Sequence, residues 1–168
     1  MALAACLAVI IVAGVLVAPS ILQGGEGIPD DKEDNVTVVS PLEEYGSAEE
    51  LSQAAGFEIE DIEALPFQPT ECVYMTVSGY IAEIDYTAED GSSACYRKAK
   101  VEEDISGVYG EFETEEISVE GVSVTLKGAD GVYVLALWSD GDFSYSLYLT
   151  AGMSEAEWPV LVESVMRG

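Results

Sequence analysis

Histidine does not occur in this sequence, and bases are scarce: its 168 residues hold 6 Lys and Arg against 32 Asp and Glu. Without histidine there is no Ser-His-Asp or Cys-His arrangement, no imidazole ligand for zinc and no general base titrating near neutrality. The net charge of −26 repels phosphate backbones, which excludes nucleic acid as a partner. The G-x-S-x-G elbow, the G-x-x-x-x-G-K-[ST] phosphate loop and a G-x-G-x-x-G after a strand are also missing. Cysteine is rare. Cys6 lies in the apolar start of the chain, and Cys72 and Cys95 are too distant in sequence for a C-x-x-C redox pair. A disulfide between those two stays open, because another strand is expected between theirs and a bridge needs Cα atoms within about 7 Å.

Charge is absent from one long stretch, residues 1–25, "MALAACLAVIIVAGVLVAPSILQGG". At about 1.5 Å per residue, the apolar run over residues 2–22 spans a hydrocarbon layer of about 30 Å. It is longer than a secretory h-region, lacks a basic flank and shows no A-x-A cleavage site. The reading is therefore a retained transmembrane helix over residues 1–22, ahead of a cleaved signal. "LAAC" (residues 3–6) resembles a lipoprotein box, but here the apolar run follows the cysteine instead of preceding it. No Lys or Arg precedes the helix to set its orientation, which points to a natural chain that begins upstream of Met1. The expected partner is the lipid bilayer through residues 1–22, with the chain single-pass in the cell membrane and its C-terminal domain extracytoplasmic.

Residues 23–40 mix glycine, proline and acid without apolar period and read as an acidic flexible stalk, with "NVTVVS" (35–40) as a first short strand. Residues 41–168 remain for one folded domain, and 49% hydrophobic residues is too many for a disordered acidic chain. Ser47 with Glu50 forms a capping box, and Gly56 supplies a left-handed stop, which predicts a helix between them. From Thr70 the period changes to two. In "YIAEIDY", Tyr80, Ala82, Ile84 and Tyr86 share one face, and Glu83 and Asp85 are expected on a wet one. Turns are predicted at "AEDGSS", Glu120-Gly121 and Asp140-Gly141, with Val122, Val124 and Leu126 inward and "GVYVLALW" a central strand. Ser154 and Glu157 open a closing helix as a second capping box, with Met153 stapled onto Trp158; Pro159 sits awkwardly for that start. The sum is an α+β fold: a curved antiparallel sheet of about six or seven meander strands, an N-terminal and a C-terminal helix packed on it, and one transmembrane helix in front.

Chemistry is thinly signalled. Paired carboxylates can hydrolyse glycosides, but 32 acids supply such pairs by chance. "IPDDKEDN" (28–35) and "KVEEDISG" (100–107) gather oxygens suited to Ca²⁺ without matching a calcium loop. Arg97, Lys98 and Lys100 form the one basic cluster, beside Glu102, Glu103 and Asp104; local pairing is expected, with an anion site as the sharper alternative. Trp138 and the tyrosines at 74, 80, 86, 96, 109, 133, 145 and 148 read as core and cross-strand packing ahead of a pocket lining. No residue is assigned a catalytic, cofactor-binding or metal-binding role, and no cofactor is expected.

"SAEELSQAAGF", "LPFQP", "YRKA", "DISG", "VTLKG", "ALWSDGDFSYSL" and "GMSEAEW", in this order over residues 41–166, resemble an uncharacterised extracytoplasmic domain found behind a single membrane helix in Gram-positive bacterial proteins, some of them anti-sigma-factor-like. In that family an acidic and an amide residue follow "DISG", where this chain has Val108 and Gly110. The resemblance implies a tethered, noncatalytic α+β domain. The expected function is sensing or binding, with regulation of a partner protein as its sharper form. A structural or interaction module of the cell envelope is the alternative, and a carboxylate hydrolase the remote one.

Overall fold

Two-residue hairpins organise the second half of the chain. Glu120-Gly121 and Asp130-Gly131 hold positive φ at both residues, the backbone that matches the twist of the flanking strands. The computed structural model describes residues 42–167, ordered as β1 (Leu42–Tyr45), α1 (Ala48–Ala55), β2 (Glu71–Val77), β3 (Ile81–Thr87), β4 (Ser93–Ala99), β5 (Glu113–Val119), β6 (Val122–Ala129), β7 (Val132–Ser139), β8 (Ser144–Ser154) and α2 (Trp158–Arg167). All neighbours are antiparallel in the order β1-β2-β3-β4-β8-β7-β6-β5. Two four-stranded meanders thus meet where β4 pairs with β8.

Parity along the ladders assigns the faces. Ala82, Ile84 and Tyr86 of β3, Tyr96 of β4, Leu147 and Leu149 of β8, Ala136 and Trp138 of β7, and Val124 and Leu126 of β6 all join one core with Leu51 of α1 and Trp158, Leu161 and Val162 of α2. Both helices therefore cover the same face. α1 starts as expected, with the Glu50 amide donating to Ser47 Oγ at 3.2 Å, and stops at Gly56 with φ 78°. Leu51, fully buried, anchors it; such a side chain contributes about 2–5 kcal/mol against truncation to alanine. α2 begins only at Trp158, so Pro159 falls in the first turn, where its missing N–H costs nothing. Glu157 Oε2 accepts from the Ser154 amide and hydroxyl, closing the link from β8 into that helix.

Three expectations need correction. The sheet has eight strands among the described residues, the additional one being β1, whose residues Leu42–Tyr45 are too few and too acidic to show a period. The transmembrane helix expected over residues 1–22 and the stalk over 23–40 lie outside the described residues. Among those described, no helix is long and apolar enough to cross a membrane. Among the described residues the fold class is accordingly an α+β sheet with two helices and no membrane-spanning helix, and the described residues do not support the reading of a single-pass protein held in a bilayer with an extracytoplasmic sensing domain. The strand face carrying Glu83 is not wet either: Glu83 is 5% exposed, because the β4–β5 connection folds over it.

Candidate functional site

The segment after α1 reads "FEIEDIE" (57–63), mixing apolar and acidic residues, and it belongs to no helix or strand. Side chains pin it. Ser52 Oγ accepts from the Ile59 amide and donates to the Ile59 carbonyl, both at 3.0 Å. The Ile62 amide donates to the Tyr86 hydroxyl at 3.0 Å, and the Tyr74 hydroxyl donates to Asp61 Oδ1 at 3.0 Å. Ile59 and Ile62 are buried, which turns Glu58, Glu60 and Asp61 toward the outside.

That segment forms one wall of a cleft of about 330 Å³ on the helix-covered face. The opposite wall is the end of α2, Ser164 to Met166, with Glu120 and Val122 of the β5–β6 turn. The floor comes from the sheet: Tyr96 and Lys98 of β4, Trp138 of β7 and Tyr145 of β8, closed at the end by Asp140 of the β7–β8 hairpin. Trp138 and Tyr145, directly opposite each other on neighbouring strands, stack with ring centroids 5.2 Å apart and an interplanar angle of 2°.

Two charged groups of the floor are fixed. Lys98 Nζ donates to the Glu58 carbonyl at 2.6 Å and lies 4.8 Å from the Phe143 ring centroid, 5.4 Å from that of Tyr145 and 6.0 Å from that of Phe57. Burial pushes its pKa down, opposed by the negative charges of Asp140, Glu58 and Glu60. Burial raises the Asp140 carboxyl, but the Tyr145 hydroxyl at 2.6 Å and the Phe143 and Asp142 amides at 2.9 and 3.0 Å outweigh it and hold the group below the ordinary carboxylate range. Near neutral pH Asp140 is therefore negatively charged and a poor proton donor.

The opposite face carries a second constellation. Glu83 and Asp85 alternate along β3, and Arg97 and Cys95 stand directly across from them on β4. The Arg97 Nε donates to Glu83, and Arg97 Nη1 donates to the Ile105 and Ser106 carbonyls at 3.0 and 2.6 Å. Burial raises the Glu83 carboxyl, Arg97 lowers it and Asp85 adds to the rise, leaving it above its ordinary value. Burial, with the charges of Glu83 and Asp85, drives the Cys95 thiol far up. Ligand atoms of Glu83, Asp85 and Cys95 lie within 4.8 Å of one another, a mixed sulfur and oxygen set of the kind zinc accepts. To hold a metal there, Cys95 must lose its proton, and the ion must sit beside the Arg97 guanidinium that already engages Glu83. The geometry is that of a lock: Arg97 clamps the "DISG" loop, where Asp104 also accepts from the Ser106 amide at 2.9 Å and from Lys127 Nζ at 2.9 Å. Gly107, at φ 66°, sits where a Cβ would be 2.7 Å from Arg97 Nη1.

The expected basic cluster is therefore split. Arg97 serves the lock across the strands instead of pairing with the acids next to it in sequence, Lys98 enters the cleft on the other face, and Lys100 is exposed beyond the strand. The loop expected to gather Ca²⁺ spends Asp104 on Ser106 and Lys127; "IPDDKEDN" lies outside the described residues. Cys72 pairs with Tyr86, and Tyr86 with Ala94, so Cys72 and Cys95 point to opposite faces and both are free. Of the aromatic set, Tyr96, Trp138 and Tyr145 line the cleft, Tyr74 and Tyr86 hold its wall, Tyr148 stands across from Cys95, and Tyr80 and Tyr109 are exposed. The wall residues Glu58, Glu60 and Asp61, with Glu120 and the end of α2, were not singled out by sequence reasoning; the mix of apolar and acidic residues in "FEIEDIE" is the signal that marks the first three.

No protein-family model, curated protein or solved structure matches the chain.

Proposed function

We propose that residues 42–167 form a noncatalytic binding domain whose helix-side cleft takes a small organic molecule. The observation that carries this reading is the cleft itself: a concavity of about 330 Å³ with a stacked Trp138–Tyr145 floor and polar groups converging from three separate elements. That combination of aromatic surface and few oriented polar groups is what small-molecule sites use. The noncatalytic character rests on the chemistry of the groups at hand. Near neutral pH Asp140 is held as an anion, Lys98 is engaged by a carbonyl and ring faces, and the half-buried Cys95 thiol resists ionisation on the other side of the sheet. The resemblance to an uncharacterised bacterial domain agrees in offering no catalytic residues.

A fragment library screened against the full chain by ligand-observed NMR tests the reading. Hits should perturb the amides of residues 58–62 and 164–166 and be lost in Ser164→Tyr, which fills the cleft from α2. Hits that favour the opposite face, or none at all, would overturn it. Chromogenic glycosides should remain intact; hydrolysis abolished by Asp140→Asn would show an enzyme instead.

A further inference from the structure

Resting on that binding reading, we infer that the cleft's ligand is an extended organic cation, a diamine or polyamine. Five acidic residues line it, Glu58, Glu60, Asp61, Glu120 and Asp140, against one basic residue, Lys98, and although the Asp61 and Asp140 carboxylates accept from Tyr74 and Tyr145, those neutral donors leave their charge in place. An anion entering there meets a surplus of like charge, and a neutral ligand leaves that surplus uncompensated. Arg167 reaches Glu120 from outside at 3.7 Å with both side chains largely exposed, a contact that offsets little of it.

A compact metal ion does not fit this distribution. Among the described residues, the set of three donors close enough to share an ion is Glu83, Asp85 and Cys95, on the other face, and the cleft acids form no such set. Negative charge spread along the cleft suits a chain with an ammonium at each end. The apolar parts of the lining, Trp138, Val122 and Met166, suit the methylenes between.

The cleft already shows how it receives an alkylammonium. Lys98 brings one in covalently, and it is met by a backbone carbonyl at 2.6 Å and three ring faces at 4.8 to 6.0 Å, the electrostatic seat that aromatic residues offer to organic cations. A polyamine has the chemistry of that side chain, and its second and third amines answer the acids that Lys98 does not.

The test is a titration of the full chain with spermidine and with putrescine, followed by amide NMR shifts and calorimetry. Shifts should saturate at residues 58–62, 138–145 and 164–166, spermidine should bind more tightly than putrescine, and added salt should weaken both. Glu58→Gln with Glu60→Gln should weaken spermidine by about tenfold, while Glu43→Gln with Glu44→Gln, on β1 and outside the cleft, should not. Shifts spread over the surface without saturation, or equal weakening by the β1 pair, would show general attraction to an acidic chain and overturn the inference. If neutral saccharides or anionic fragments fill the cleft and amines do not, the inference falls and the binding reading stands. If no class shifts the cleft, both fall.

Discussion

Replacing Arg97 with methionine removes the guanidinium but keeps much of the stem, so the loss isolates the lock between the sheet and the "DISG" loop. The side chains of Arg97 and Glu83 are 20% and 7% exposed, which makes this a buried pair. Taking one partner from such a pair strands the other charge in a poorly solvated place and costs about 3–5 kcal/mol. The carbonyls of Ile105 and Ser106 lose their donor as well. Against a total of about 5–15 kcal/mol for a domain of this size, the effect is large. Lys127→Met provides the contrast: its bridge to Asp104 at 2.9 Å joins side chains 23% and 42% exposed, worth about 0.5 kcal/mol. Urea unfolding of the full chain, read from Trp138 and Trp158 fluorescence, separates the two. Adding Glu83→Leu to Arg97→Met should recover more than half of the loss, because the stranded charge is gone. A loss below about 1 kcal/mol for Arg97→Met, or a double variant weaker than the single one, would refute the assignment of a lock.

Gly107→Ala should cost about 1–3 kcal/mol by the same readout, since it strains a positive φ and pushes into Arg97; a change near zero would mean that the loop is not held there. Peptide mapping after alkylation without reductant should find Cys72 and Cys95 both as free thiols, the exposed Cys72 modified first and the half-buried Cys95, whose thiol is pushed up, more slowly, and a linked peptide would contradict the face assignment. Asp140→Asn should alter the acid limb of a melting-temperature profile. The folded pKa of Asp140 lies below its reference of 3.8, so its contribution is complete above that pH and is lost as pH falls through the folded value. The gap between wild type and variant should therefore close in acid, and a gap unchanged down to about pH 2 would refute the role given to its hydrogen bonds.

What was legible in the sequence was local. The Ser47 cap and Gly56 stop of α1, the Glu120-Gly121 turn and the inward set Val122, Val124 and Leu126 follow from rules that operate within a few residues; the hairpin expected at Asp140-Gly141 exists, but its loop runs from Asp140 to Phe143, because Ser139 pairs with Ser144. β1 escaped because a four-residue edge strand of mostly exposed residues has no period to read. The burial of Glu83 escaped for a different reason: alternation gives the face of a residue but not what later folds over that face, here a loop more than twenty residues on, around Ile105. Pro159 misled only as long as the helix was started too early. The cleft is the least local feature of all, since its walls come from residues 58–62 and 164–166 and only the strand order β4-β8-β7 lays its floor between them.

A binding domain of this kind seats its ligand in that cleft. Intermolecular nuclear Overhauser effects from a bound amine or fragment test this most directly. They should connect the ligand to protons of Val122, Ser164 and Met166, which line the cleft, and not to Thr125 or Leu137, which stand on the opposite face. Contacts to Thr125 and Leu137 alone would contradict the account.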